Sequence, residues 1–166
     1  MSRVLTVALL LLAAAPRLAL ANGKPDGDMA RLEGEWVGEL TYEDWEHPGT
    51  MVTMPTRLFA ALTEPATLAC HYIFDDGPRQ VHSYERIALD RKSGDVTWVG
   101  EDRKGKITSD ARAGDEWNLV FEATTEPRER YTIVLGPRTL RLTKQDLHDD
   151  PTVTFKNEFT FERLGN

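Results

Sequence analysis

Cysteine is nearly absent from this chain, since Cys70 is the single example among 166 residues. One cysteine cannot form an intrachain disulfide, so packing alone must hold the fold together. Cys70 lies in an apolar stretch with no base beside it, which favours a small buried side chain over a nucleophile. The sequence also lacks glycine-rich phosphate loops, nucleophile elbows, paired zinc motifs and internal repeats, and the classes of protein that depend on them are excluded.

Positive charge is in short supply as well, with 20 lysines and arginines against 27 acids and a formal charge of −7. Nucleic acids and anionic membranes are bound through clusters of Lys and Arg. We therefore expect neither a nucleic-acid partner nor a membrane anchor, and we interpret the acidic balance as a source of solubility.

Long hydrophobic runs are missing except at the amino terminus. Arg3 is followed by the apolar run Val4 to Ala15, and Ala19-Leu20-Ala21 then places small residues on both sides of Leu20, before a cut after Ala21. This pattern is typical of a signal peptide, and the run is too short to span a bilayer. Removal of residues 1–21 is expected to give a secreted or periplasmic protein with a formal charge of −9. Residues 22–28 are then a flexible lead-in, and residues 29–166 form one domain.

Helical periodicity is confined to a single turn from Met29 to Leu32, which we expect Asp28 to cap. The next segment alternates instead, with Trp36 on one face and Val37 on the other, as in a strand with one buried face. Nine segments repeat this alternation, and a doubtful tenth lies around residues 106–111. Closure of such a sheet into a barrel removes both its solvent-exposed apolar face and its unpaired edges. The sequence predicts an all-β, antiparallel, up-and-down closed barrel of 8–10 strands.

Two turns fix the register of the middle strands. Asp75-Asp76-Gly77-Pro78 joins residues 67–74 to residues 79–90, and centring the turn there sets Cys70 opposite Ser83 and Leu68 opposite Glu85. The turn at residues 91–94 sets Ile87 opposite Trp98. Pro55 interrupts an earlier segment and cannot donate to a ladder, so we expect a bulge or an edge position there.

The opening Gly34-Glu35-Trp36 resembles the Gly-x-Trp signature of the lipocalins and their calycin superfamily. In that family a basic residue at the end of the last strand lies across the indole, and Arg163 matches it. The middle of the chain has no Thr-Asp-Tyr motif and no cysteine pair, so the chain resembles an outlying, exported, bacterial member. The resemblance implies a hollow barrel, commonly a carrier of small apolar molecules, and structural roles for Trp36 and Arg163.

The alternation places several polar and aromatic side chains on the inner face. Glu85 is foremost among them, because a buried acid is costly unless it is paired, protonated or used. We predict that these residues contact a small apolar or amphipathic molecule in the lumen. They are Tyr42, Tyr72, Ser83, Glu85, Trp98, Tyr131 and Asn157.

Two other functions fit the same pattern. One is a barrel enzyme, such as an isomerase or a decarboxylase, with Glu85 as acid and base and a tyrosine as partner. The other is a protein-interaction module that uses loop 43–49 with Trp45 and His47. We prefer the hypothesis of binding without catalysis, and we expect no cofactor. His71 and His82 come out opposite each other on the outer face, but no third ligand is evident, so no metal site is predicted.

Overall fold

The computed structural model of the chain describes residues 24–44, 46–100, 103–149 and 153–165. The predicted signal peptide and Trp45 lie outside these residues. Among the described residues, no helix is both long and apolar enough to cross a membrane.

One helix and ten strands make up the described chain. They are α1 (Gly27–Leu32), β1 (Gly34–Glu43), β2 (Met51–Glu64), β3 (Thr67–Asp76), β4 (Arg79–Asp90), β5 (Asp95–Val99), β6 (Arg103–Ala113), β7 (Glu116–Ala123), β8 (Glu129–Leu135), β9 (Thr139–Leu147) and β10 (Val153–Arg163). The doubtful tenth segment is therefore a strand, β6.

The strands form a closed barrel in which each pairs with its neighbours along the chain, and β1 closes the ring against β10. All ten pairings are antiparallel. Closure leaves no unpaired edge. The prediction of an all-β, up-and-down closed barrel is confirmed.

The inner face of the barrel is the predicted one. Leu58, Leu68, Ile87, Leu119 and Ile133 are each at most 3% exposed and come from five strands. At 1.5–3 kcal/mol for each fully buried side chain of this size, the inner face supplies the main driving force for closure. The close approach of β1 to β10 depends on Gly38, because a Cβ there would collide with the carbonyl oxygen of Thr160.

Helix α1 covers one end of the barrel, which we call the closed end. Asp26 caps the helix by accepting from the backbone N–H groups of Asp28 and Met29 at 3.1 and 3.2 Å. The expected cap at Asp28 is wrong, because Asp28 lies in the first turn and is buried. Its carboxylate instead accepts from Arg91 at 3.1 Å and from Arg112.

The contact that the family resemblance implies is present at the closed end. The Arg163 guanidinium lies 4.1 Å from the centre of the Trp36 ring, and the Trp36 indole N–H donates to the Leu32 carbonyl at 2.9 Å. Arg163 also donates to the Glu33 carbonyl at 2.5 Å and to the Arg31 carbonyl. The last strand is thus tied to α1.

The register predicted between β3 and β4 is wrong by two residues. Asp76 pairs with Arg79, Cys70 with Glu85 and Leu68 with Ile87, because the turn is centred on Gly77 and Pro78 and the two aspartates before it stay in β3. The β4–β5 register, with Ile87 opposite Trp98, is confirmed.

The strand pairing decides between the bulge and the edge position expected at Pro55. The pairing of β1 with β2 runs unbroken through Pro55, while pairing with β3 begins only at Thr56. Pro55 therefore has the edge position and not the bulge. Register shifts lie elsewhere: in β2 between Leu62 and Glu64, in β6 between Ile107 and Ser109, and in β10 between Phe155 and Asn157.

Candidate ligand-binding cavity

A cavity of about 220 Å³ occupies the barrel interior at the end opposite α1, which we call the open end. Its walls carry five of the seven predicted ligand contacts. Those five are Ser83, Glu85, Trp98, Tyr131 and Asn157. The apolar part of the lining consists of Leu40, Phe74, Ile133, Leu142 and Phe159, and Thr132, Thr143 and Lys144 complete it.

A second cavity of about 420 Å³ adjoins the first at the barrel mouth. Leu40, Phe74 and Asn157 line both cavities. Tyr42, a sixth predicted contact, lies in this outer part. A ligand longer than the inner cavity therefore has room to extend toward solvent.

Tyr72, the seventh predicted contact, lies outside the lining of both cavities. Its side chain is 1% exposed, and its ring centre lies 5.3 Å from that of Phe159 and 6.1 Å from that of Phe74. Tyr72 therefore supports two aromatic rings that line the cavity. Its role as a direct ligand contact stays a prediction.

Glu85 projects into the inner cavity, as the alternation predicts. The Trp98 indole N–H donates to its Oε2 at 2.6 Å, and the Ser83 hydroxyl donates to its Oε1 at 3.2 Å. Gly100, with φ +113°, makes room for this carboxylate because a Cβ there would lie 2.7 Å from Glu85 Cγ. Two adjacent strands thus hold the acid in a fixed orientation.

A second acid, Glu129, lies at the open end and is fully buried. Its Oε2 accepts from Arg103 Nε at 2.8 Å and from the Tyr131 hydroxyl at 2.6 Å. Its Oε1 accepts from Lys156 Nζ at 2.8 Å, and Lys144 Nζ lies 3.6 Å away. Side chains from β6, β8, β9 and β10 therefore converge on a single carboxylate.

The charge state of Glu129 follows from these contacts. Burial alone would raise the pKa of this carboxyl, but the hydrogen bonds from Lys156, Tyr131 and Arg103 and the charge of Lys144 outweigh it. The pKa falls to about 2. Glu129 is therefore an anion under all ordinary conditions.

Glu129 was missed in the sequence, although a signal for it was present. It has the same parity as Tyr131 and Ile133, which point inward, and so belongs to the inner face. Lys156 is the converse case, because its parity in the sequence places it on the outer face. The register shift beside it places Lys156 between the paired residues Phe155 and Asn157, and its amine reaches Glu129 instead of the outer face.

The hydroxyl of Tyr131, which lines the inner cavity, donates a hydrogen bond to Glu129. A phenol has one O–H proton, and Tyr131 donates it to Oε2 of that acid. The proton-transfer pairing of Glu85 with a tyrosine therefore finds no support in this hydrogen bond.

Cys70, directly opposite Glu85, is 4% exposed. Burial, with a smaller contribution from the Glu85 charge, raises the pKa of this thiol to about 12. Because the thiolate is the reactive form, Cys70 acts as a packing residue, as expected.

The fold is similar to that in the crystal structure of Rv2717c from M. tuberculosis, with a TM-score of 0.54 and 12% sequence identity. The match covers 83% of this chain and 96% of that chain. No protein-family model matches the sequence, and no curated protein is significantly similar to it. Identity this low shows the fold alone. The chain is thus a ten-stranded, closed antiparallel β-barrel that shares its overall fold with that protein.

Proposed function

We propose that this protein is an exported carrier that binds a small, largely apolar molecule in the open end of its barrel. The observation that carries the proposal is the inner cavity of about 220 Å³, with aromatic walls and a few fixed polar groups. Binding sites for small molecules have this character, and commonly occupy 300–1,000 Å³. The inner cavity alone is smaller than that range, so a typical ligand would also fill part of the mouth.

The polar groups define how a ligand would be oriented. Glu85 and Ser83 lie on β4 and Asn157 on β10, and all three line the inner cavity. The rings of Phe74, Trp98 and Phe159 form apolar walls around these groups. A ligand with one polar end would therefore place that end in the inner cavity and its apolar body toward the mouth.

Filling the cavity is expected to abolish binding without unfolding the barrel. Leu40 lines both cavities and is only half-buried, so Leu40→Trp would occupy ligand space. We expect the affinity for the neutral fluorophore N-phenylnaphthylamine, measured by fluorescence titration, to fall at least about tenfold, or 1.4 kcal/mol of binding free energy.

Thr41→Trp is the matched control, because the same indole is then added to the same strand on the outer parity. This variant should bind the fluorophore as the native protein does. Urea unfolding of both variants checks that each remains folded. Equal binding by Leu40→Trp and the native protein would contradict a lumenal site.

Export is a separate part of the proposal, and rests on the pattern of residues 1–21. The mature protein recovered from outside the cytoplasm should begin at Asn22 on amino-terminal sequencing. A product that retains Met1 would show that the segment is not cleaved.

A further inference from the structure

Two histidines meet on the outer face of the barrel, away from the cavity. His71 Nε2 of β3 and His82 Nδ1 of β4 lie 2.9 Å apart. They are diagonal neighbours, since His71 pairs with Tyr84 and His82 pairs with Ile73. The contact expected from the sequence is therefore present, although the direct pairing expected for it is wrong.

Stacked rings hold the His71 imidazole in place. The Tyr84 ring lies 4.3 Å from it at an interplanar angle of 10°, and the Phe59 ring lies 5.9 Å from it at 30°. His82 is itself stacked on His71 at 5.2 Å. Ligands that are fixed by packing on adjacent strands lose little entropy when they bind a metal.

The spacing of the two nitrogens suits a particular coordination geometry. Metal–imidazole bonds are about 2.0–2.1 Å long, so two ligands at a right angle place their nitrogens roughly 2.9 Å apart, against about 3.3 Å for a tetrahedral angle. The nitrogens of His71 and His82 already have the shorter separation. Right-angle geometry is typical of square-planar or octahedral Cu²⁺ and Ni²⁺ sites.

We propose that His71 and His82 form a two-histidine site for a divalent transition metal, with Cu²⁺ preferred over Ni²⁺ and Zn²⁺. The order follows from the general affinities of nitrogen ligands. Within the described residues no group of three or more potential ligands occurs, so water would complete the coordination sphere. The imidazole that donates the shared N–H would carry that proton on its other ring nitrogen instead, so that both imidazoles coordinate the metal as neutral ligands.

The charged neighbours limit the strength of the site. Arg57 pairs with Ile73 and Arg86 pairs with Ala69, so both guanidinium groups belong to the same outer face as the two histidines. Their repulsion of a cation, together with the small number of protein ligands, predicts a moderate affinity that falls further as the imidazoles become protonated in acid.

Titration of the untagged protein with Cu²⁺, followed by electron paramagnetic resonance, tests the proposal. We expect one bound Cu²⁺ with hyperfine coupling to two imidazole nitrogens. His71→Phe keeps the stacking on Tyr84 but removes the nitrogens, and His82→Gln removes the other imidazole. Each should weaken Cu²⁺ binding at least about tenfold, because removal of even an outer-shell partner of a metal ligand costs about 10–100-fold and these variants remove a ligand itself.

A double variant of the two remaining histidines is the control. His47 contacts Asp44 at 2.9 Å, and His148 contacts Thr154 at 2.8 Å. His47→Gln with His148→Gln should leave the two-nitrogen signal unchanged. Bound Cu²⁺ should also raise the unfolding temperature of the native protein but not that of His82→Gln. Native-like Cu²⁺ binding by both His71→Phe and His82→Gln would overturn the proposal, as would the absence of binding.

Discussion

Replacement of Glu129 by glutamine is expected to lower the free energy of unfolding by about 3 kcal/mol. Removal of one partner from a buried ion pair costs about 3–5 kcal/mol, because the other charge is left uncompensated. Here the side chains of Arg103, Lys144 and Lys156 are 19%, 12% and 38% exposed. Partial solvation of these cations places the expected cost at the lower end of the range. Urea unfolding at neutral pH measures it.

Glu122→Gln is the matched control on the neighbouring strand. Glu122 also pairs with an arginine, Arg130, at 2.8 Å, but its side chain is 29% exposed. Exposed ion pairs contribute about 0–1 kcal/mol, so this change should have little effect. Equal losses in the two variants would show that burial of Glu129 does not determine its contribution.

The pH dependence of stability gives a second readout of Glu129. Its pKa is about 2 in the folded protein, against an ordinary value of 4.5. The unfolded chain therefore takes up a proton more readily as the pH falls, and the contribution, up to roughly 3 kcal/mol, is complete above about pH 4.5 and lost as the pH approaches 2. The native protein should lose more stability than Glu129→Gln over this interval. Parallel acid profiles would contradict the lowered pKa.

The barrel could be predicted from the sequence because one property of a strand survives without any partner. Side chains alternate with a period of two, so the parity of Leu68, Tyr72 and Ile87 shows which face is buried. The same period explains the error at the β3–β4 turn. A shift of two residues keeps every side chain on its face, and the pattern therefore cannot separate Cys70 opposite Glu85 from Cys70 opposite Ser83.

The candidate cavity could be predicted only in part, for a related reason. Ser83, Glu85 and Asn157 were found by parity, and they line the inner cavity. Two charged partners of Glu129, Arg103 and Lys156, lie 26 and 27 residues away from it. Contacts over such separations depend on the closure of the barrel and, at Lys156, on a bulge. The alternation of residue types is continuous across that bulge, so nothing in the pattern indicates the reversal of faces at Lys156.

Replacement of Trp36 by alanine is expected to cost about 3–5 kcal/mol of unfolding free energy. Truncation of a fully buried tryptophan loses its apolar contacts and leaves a cavity, and Trp36 is 0% exposed. The change also removes the surface on which Arg163 lies, at 4.1 Å, and the donor to the Leu32 carbonyl. The junction of β1, β10 and α1 would therefore be weakened at once. Urea unfolding of the variant measures the loss.

Two further variants separate the contributions at this junction. Trp36→Phe keeps an aromatic ring and loses the indole N–H, so its cost should be nearer 1–2 kcal/mol, with the hydrogen bond to the Leu32 carbonyl a large share. Arg163→Met, made in the native and the Trp36→Ala backgrounds, gives the coupling between ring and cation, expected at about 0.5–2 kcal/mol. Tyr84→Ala serves as the control, because that ring is 71% exposed on the outer face and contacts chiefly His71, so its loss should change stability by only about 1 kcal/mol. If Trp36→Ala were as mild as Tyr84→Ala, the closed end would not be the point at which the first and last strands are held together.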